Sequence, residues 1–212
     1  MFRQGSAPIT RHPGLWIDNC ASGGRLIDLE TTSRAIPLWG SDLQIYGPTP
    51  TGSQLQNNGL NLYLPMHSGG SAGVEPSYEF RSAMSAGNVI ADFQNKPVAQ
   101  AGESAATYHL VRPYFEGDYF PLFDHTADEM TWFGYQLHRP DQQRGMAVVF
   151  RRAQSPHSAA PIQLEGIDVK ATYKVTDKDT GKTEILPGDA LRALVVKIEP
   201  APGSRILFYE KE

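Results

Sequence analysis

The feature that most constrains the fold is a change of pattern near residue 125. Downstream of it, apolar or aromatic runs at Met130 to Leu137 and Met146 to Arg151 flank the polar turn Arg139-Pro140-Asp141-Gln142, a hairpin signal. Ala171 to Thr176 alternates, and Asp177 to Lys182 reads as a turn with a glycine where positive φ is required. Ala193 to Ile198 and Arg205 to Tyr209 are further strand candidates, split by Pro200-Ala201-Pro202-Gly203, which no strand tolerates. Five or more strands separated by turns predict an antiparallel β-domain over residues 128–212.

Upstream, short apolar runs alternate with Gly-, Ser-, Pro- and Asn-rich segments. Gly14 to Asn19, Arg34 to Trp39, Leu60 to Met66 and Ser82 to Phe93 are strand candidates, with Pro37 marking an end or a bend in the second. The continuous run Leu15-Trp16-Ile17 suits a strand covered on both faces. Leu26 to Ser33 and Glu103 to Phe115 are helix candidates, the first with Asp28 and Glu30 where the helix dipole favours negative charge. This is βαβ patterning, and its four strands supply half of an eight-stranded barrel.

A formal net charge of -4 is too mild for a nucleic-acid binder or a polybasic membrane protein. No apolar run approaches the ~20 residues needed to cross a bilayer. Met1 to Arg11 lacks the apolar stretch of a secretory signal, which slightly favours the cytoplasm but leaves the location open, since residues upstream of a truncated start would carry any signal. The single cysteine, Cys20, excludes an intrachain disulfide and a multi-cysteine zinc site, and no cofactor is expected.

Ligand groups in βα folds lie on the loops that follow strand C-termini. One such loop is Asp18-Asn19-Cys20-Ala21-Ser22-Gly23-Gly24-Arg25. Its glycines let backbone approach a ligand, Asn19 and Cys20 can face a sugar, and Arg25 can anchor a carboxylate. It equally reads as a tight strand-to-helix turn around a buried cysteine. The second loop is Trp39-Gly40-Ser41-Asp42. A carboxylate past a strand end, beside an aromatic ring, suits proton transfer, because the ring raises a carboxyl pKa and offers a stacking face. Asp42 equally reads as the cap of a turn, with Trp39 in the core. His67 and Arg81 carry weaker signals: a lone histidine is more often structural, and Arg81 is expected to pair with Glu75 or Glu79. Trp132, Phe133 and Tyr135 read as strand core or an interdomain seam.

Together the two loops resemble the melibiase-type α-galactosidases of glycoside hydrolase family 36. His12 to Arg25 is similar to that family's hydrophobic run followed by E/D-x-C-[AS]-S-G-G-x-R, and Ile36 to Asp42 is similar to its W-x-S-D motif, at the expected separation. Leu64 to Ser68 resembles a strand and His-containing loop, and Arg81 sits near the arginine of the last barrel strand. Arg112 to Tyr119 resembles the R-P-Y-F-x-G-D-F/Y that closes the barrel. Thr131 to Gln136 and Phe150-Arg151-Arg152 resemble parts of the C-terminal domain.

The resemblance implies an α/β chain: the C-terminal half of a (β/α)8 TIM-type barrel over residues 1–127, then an antiparallel β-sandwich over 128–212. It implies Asp42 as general acid/base, Cys20 and Gly23 in the subsite for terminal galactose, and Trp39 and Arg25 shaping the same pocket. The implied partner is an α-galactoside oligosaccharide, with self-association through an open barrel edge near Leu15 to Asn19. The family's nucleophile lies in a Lys-Trp-Asp motif, which this sequence does not contain. Retaining hydrolysis needs two carboxyl groups roughly 5 Å apart, so the chain alone is expected to be inactive and Met1 to be a truncated or internal start. Leu43 departs from the Asn or Asp of many relatives and bears on substrate preference. The alternatives are a non-catalytic carbohydrate-binding remnant, or a related α-glycosidase acting on α-N-acetylgalactosaminides or transferring galactose within raffinose-type sugars.

Overall fold

A computed structural model of the chain describes residues 10–20, 23–25, 27–37, 40–42, 49–64, 66–71, 73–91 and 93–212. It is a mixed α/β protein organised around one antiparallel sheet. That sheet has six strands: β5 (Asp118–Pro121), β6 (Trp132–Arg139), β7 (Arg144–Arg151), β9 (Thr172–Asp177), β10 (Thr183–Pro187) and β12 (Gly203–Lys211). Their order is β10-β9-β12-β7-β6-β5, and a separate two-stranded sheet pairs β8 (Ala159–Gln163) with β11 (Ala193–Lys197).

The large sheet is covered on both faces, and the sequence dictates this through period two. Along β7, Ala147 and Val149 point into one core, while Met146, Val148 and Phe150 point into the other. In β12, Leu207 and Tyr209 join the first core and Ile206 the second. The first core is closed by Ala160, Ile162 and Val196 of the small sheet, together with Leu191 of the short helix α5 (Gly188–Arg192), so this side is sheet on sheet. The second core is closed by Phe80, Met84, Val111, Tyr114 and Phe115 from the upstream half. The β6–β7 hairpin pairs as the sequence predicts, with Trp132 opposite Arg151 and Arg139 opposite Arg144. Gly181 adopts φ +67 in the Asp177 to Lys182 turn, where positive φ was expected.

The upstream half contains β1 (Asp18–Asn19), α1 (Leu29–Thr32), β2 (Ile36–Pro37), α2 (Pro50–Asn61), β3 (Ser68–Ser71), α3 (Tyr78–Ser82), β4 (Gly87–Ile90) and α4 (Val98–Val111). A 3-10 turn over Arg112–Glu116 leads into β5, so the antiparallel sheet begins ahead of Asp128. The alternation of strands and helices is as expected, but among the described residues the four strands form two parallel pairs, β1–β2 and β3–β4, rather than one four-stranded barrel layer. The strands are two to four residues long, and β3 is Ser-Gly-Gly-Ser, with no apolar side chain to bury in a shared layer. The expected continuous strand through Leu15 and Trp16 is also absent: Trp16 is 78% exposed, and the strand is confined to Asp18–Asn19.

The expected strand at Leu60 to Met66 gives way to the end of α2. That helix starts with Pro50 in its first turn, where a missing N–H costs nothing, and turns Gln54, Asn57, Asn58 and Asn61 inward. These residues have the i, i+3, i+4, i+7 spacing of a buried helical face, built from amides. The amides find partners: the Gln54 side-chain N–H donates to the Tyr78 hydroxyl at 2.9 Å and to Ser82 Oγ at 3.0 Å, and Asn57 reaches the Ser82 and Met84 carbonyls. Gln54 Oε1 accepts from Arg152 Nε at 3.1 Å, tying α2 to the end of β7. Among the described residues, no helix is long and apolar enough to cross a membrane.

The doubly covered sheet generates a stability prediction. Phe150 has no exposed surface, stands edge-on to Tyr78 at 5.5 Å and packs against Phe133 at 5.7 Å. Phe150→Ala is expected to cost about 3–5 kcal/mol, read as a lower urea midpoint with little change in slope. A loss below about 1 kcal/mol would contradict the placement of Phe150 between the sheet and the upstream helices.

Candidate functional site

Strands β1 and β2 run parallel, with Asp18 opposite Ile36 and Asn19 opposite Pro37. Ile36 N–H donates to the Ile17 carbonyl at 2.9 Å. Parallel pairing sends both chains out in the same direction, so Cys20 and the Gly40 to Asp42 segment leave the same end of the pair. The two loops then meet backbone to backbone. Gly23 is buried with φ +70, and a Cβ there would lie 2.9 Å from Asp42 N and 3.2 Å from Ser41 Cα. A Cβ on Gly24 would lie 2.6 Å from the Gly40 carbonyl oxygen. Both distances are shorter than real Cβ atoms accept, so each glycine is required where a side chain would push the second loop away. Arg25 N–H donates to the Gly23 carbonyl at 2.8 Å, closing the turn. On the far side, Gly40 abuts Leu60 of α2, so the Asp42 loop is held between the first glycine loop and that helix.

At this junction Asp18, Cys20, Arg25 and Asp42 are all exposed. Exposure of Cys20 overturns the reading of this loop as a turn around a buried cysteine. The Asp42 carboxylate is open to solvent, as a group that exchanges protons with a bound ligand and with water must be. Trp39, with Ala21, Ser22 and Leu43, lies outside the described residues.

The weaker candidates are structural. Arg81 is on α3 and buried, its Nε donating to both oxygens of Glu75 at 3.1 Å and its Nη1 to Asp179 Oδ2 at 2.8 Å. Glu75 was an expected partner; Asp179, from the Asp177 to Lys182 turn of the downstream half, was not. Burial works against the Arg81 charge, but the bonds and charges of Asp179 and Glu75 outweigh it and hold its pKa above the usual value. His67 is buried just ahead of β3, with Nε2 3.0 Å from Asn61 Oδ1. Trp132, Phe133 and Tyr135 are core residues of β6, split between the two faces of the sheet. Among the described residues, no group of three His, Cys, Asp or Glu side chains is disposed to hold a metal ion.

No protein-family model matches the chain, and no curated protein matches it in sequence. Solved structures do match its fold. The family 36 α-galactosidase AgaA from Geobacillus stearothermophilus is similar over 98% of this chain and 30% of its own, with a TM-score of 0.77 and 16% identity. AgaB from the same organism matches with a TM-score of 0.74 and 18% identity over the same shares. The galactosidase domain of the α-galactosidase-sucrose kinase AgaSK matches with a TM-score of 0.75 and 16% identity. Variants of AgaA are in complex with raffinose and with stachyose. The chain therefore has a fold shared with about a third of the length of family 36 α-galactosidases.

Burial of His67 generates a pH prediction. Desolvation lowers its pKa to about 4, below the ~6.5 of the unfolded chain. The unfolded state then binds the extra proton between those values, so stability falls as pH drops from 7 towards 4. At pH 5 this amounts to about 2 kcal/mol relative to pH 7. His67→Gln, which keeps a donor for Asn61, is expected to flatten the pH slope of the urea midpoint; an unchanged slope would show that His67 protonates freely in the folded state.

Proposed function

We propose that this chain carries the acid/base half of a retaining glycosidase site that acts on terminal α-galactosides. The observation that carries the proposal is the packing of Gly23 against the backbone of Asp42 at the shared end of a parallel strand pair. It brings together the two loops whose motifs resemble the family, and the likeness in fold to family 36 α-galactosidases supports the same reading. Asp42 protonates the departing glycosidic oxygen and then, as carboxylate, activates the water that releases the sugar. Cys20 and Gly23 line the subsite of the terminal galactose, and Arg25 and Trp39 shape the same pocket. The carboxylate that attacks the anomeric carbon comes from a Lys-Trp-Asp segment, which this sequence does not contain.

That missing motif also favours a second reading, a carbohydrate-binding remnant without turnover. The two separate on kinetics. The 212-residue chain alone is expected not to hydrolyse an aryl α-galactoside. In a form that carries the nucleophile segment, Asp42→Ala is expected to slow raffinose hydrolysis by ~10²–10⁴-fold, the usual contribution of general acid catalysis. Aryl substrates with acidic phenols keep fast glycosylation, accumulate the intermediate and turn over faster with azide, because azide needs no general base. Robust turnover by the chain alone, or raffinose hydrolysis unaffected by Asp42→Ala, would refute the assignment. Sugar binding with no turnover in the nucleophile-bearing form would favour the remnant.

A further inference from the structure

A groove of about 810 Å³ lies where the turn after β9 folds over the start of α3, and none of its lining residues belongs to the Cys20 or Asp42 loops. Its volume is within the ~300–1,000 Å³ of small-molecule sites. Pro76 and Tyr78 come from the upstream half, Lys178 to Thr180 from the turn, Pro200 and Pro202 from the approach to β12, and Gly203 to Arg205 from its first residues.

The groove is rich in charge, yet its cations are matched. Arg81 pairs with Glu75 and Asp179, and Lys178 pairs with Glu75 at 3.2 Å and Glu103 at 3.8 Å. Lys197 pairs with Glu199 at 2.7 Å, and Arg205 Nε donates to Asp177 Oδ2 at 2.7 Å. A surface balanced in this way has little net field to draw a phosphate or a free cation. It does present N–H donors and carboxylate acceptors side by side. Arg81 is 4% exposed in its side chain and spends its donors on Glu75, Asp179 and the Ser204 carbonyl. Arg205, 32% exposed, keeps N–H donors beyond those given to Asp177 and the Lys197 carbonyl, and a carboxylate has about four acceptor sites. A hydroxyl accepts from the first and donates to the second, so adjacent hydroxyls on one ring match alternating donors and acceptors. The prolines add apolar surface for the C–H face of such a ring.

From this balance of charge and shape we infer that the groove is a second binding site, and that its ligand is a neutral polyhydroxylated molecule of oligosaccharide class. Glu103 and Glu199 stand at its open rim, 49% and 68% exposed in their side chains, and accept hydrogen bonds from hydroxyls there. The inference rests on the groove's own chemistry and does not need Asp42 to be catalytic.

Titration of the 15N-labelled chain with raffinose tests it. Saturable shifts are expected at the amides of Thr180, Gly203 and Ser204, and sodium sulfate at matched ionic strength is expected to leave them in place. Replacing both rim carboxylates in a Glu103→Ala, Glu199→Ala variant is expected to weaken raffinose by at least about tenfold for each hydrogen bond to a charged group that is lost. Both positions are exposed, so the remaining spectrum serves as the check on folding; Thr180→Trp, at the exposed tip of the turn, is expected to block the groove by bulk alone. Groove amides that ignore raffinose, that respond to sulfate instead, or that respond equally in both variants would overturn the inference. The amides of Asn19, Gly23 and Asp42 report the other loop pair in the same spectra. Shifts in the groove without shifts there would count against the α-galactoside site alone, and the reverse would count against the groove alone.

Discussion

Burial of β7 on both faces is the constraint on which the rest of the structure depends. Every residue from Gly145 to Phe150 is buried, and the strand is hydrogen-bonded to β6 on one side and β12 on the other. Because side chains alternate, one strand supplies two cores at once, one closed by the small β8–β11 sheet and one by α3, α4 and the 3-10 turn after them. Each large side chain buried in this way is worth about 1.5–3 kcal/mol, so the upstream helices are held chiefly by what they cover on the sheet. Their own strands contribute little, being two to four residues long.

From that anchor, the candidate site is reached through polar contacts. Arg152, just past β7, is buried and donates to Gln54 of α2, and Leu60 of the same helix abuts Gly40 in the second loop. The Asp42 loop is thus located from behind by a helix docked on the sheet and from the side by Gly23 and Gly24. The Arg81, Glu75 and Asp179 cluster makes a parallel tie between the halves. Buried ion pairs of this kind add little net stability over apolar packing, but breaking one partner away leaves an uncompensated charge, so they specify how the halves meet.

The downstream strands were legible because their apolar residues alternate and their turns carry proline, glycine and aspartate at positions with a physical reason. β5, β8 and β10 were not singled out. β5 is short and Pro-ended, β8 contains Pro161, and β10 is largely exposed, so none shows a strong apolar pattern. Helix α2 was invisible for a sharper reason: its buried face has helical spacing but consists of Gln54, Asn57, Asn58 and Asn61, which hydropathy reads as loop. Strand β3 was displaced because Ser-Gly-Gly-Ser has no apolar signature; Gly69 is needed there because a Cβ would collide with the Ala83 carbonyl. At the site, the glycines of the first loop were read as places where backbone comes close to a ligand. In the structure, what Gly23 and Gly24 approach is the backbone of the second loop, a long-range contact that local sequence does not encode. The exposure of Cys20 likewise runs against its residue type, which is more often buried.

On the proposed function, Cys20 and Asp42 face one bound α-galactoside. Cys20 is the only cysteine of the 212-residue sequence and is exposed, so its rate of alkylation reports on its own loop. In this chain, saturating raffinose is expected to slow alkylation of Cys20 severalfold, an α-glucoside to leave it unchanged, and Asp42→Asn to weaken the protection by raffinose. Alkylation at the same rate with and without raffinose, while the amides of Gly23 and Asp42 shift with the sugar, would contradict this placement of Cys20.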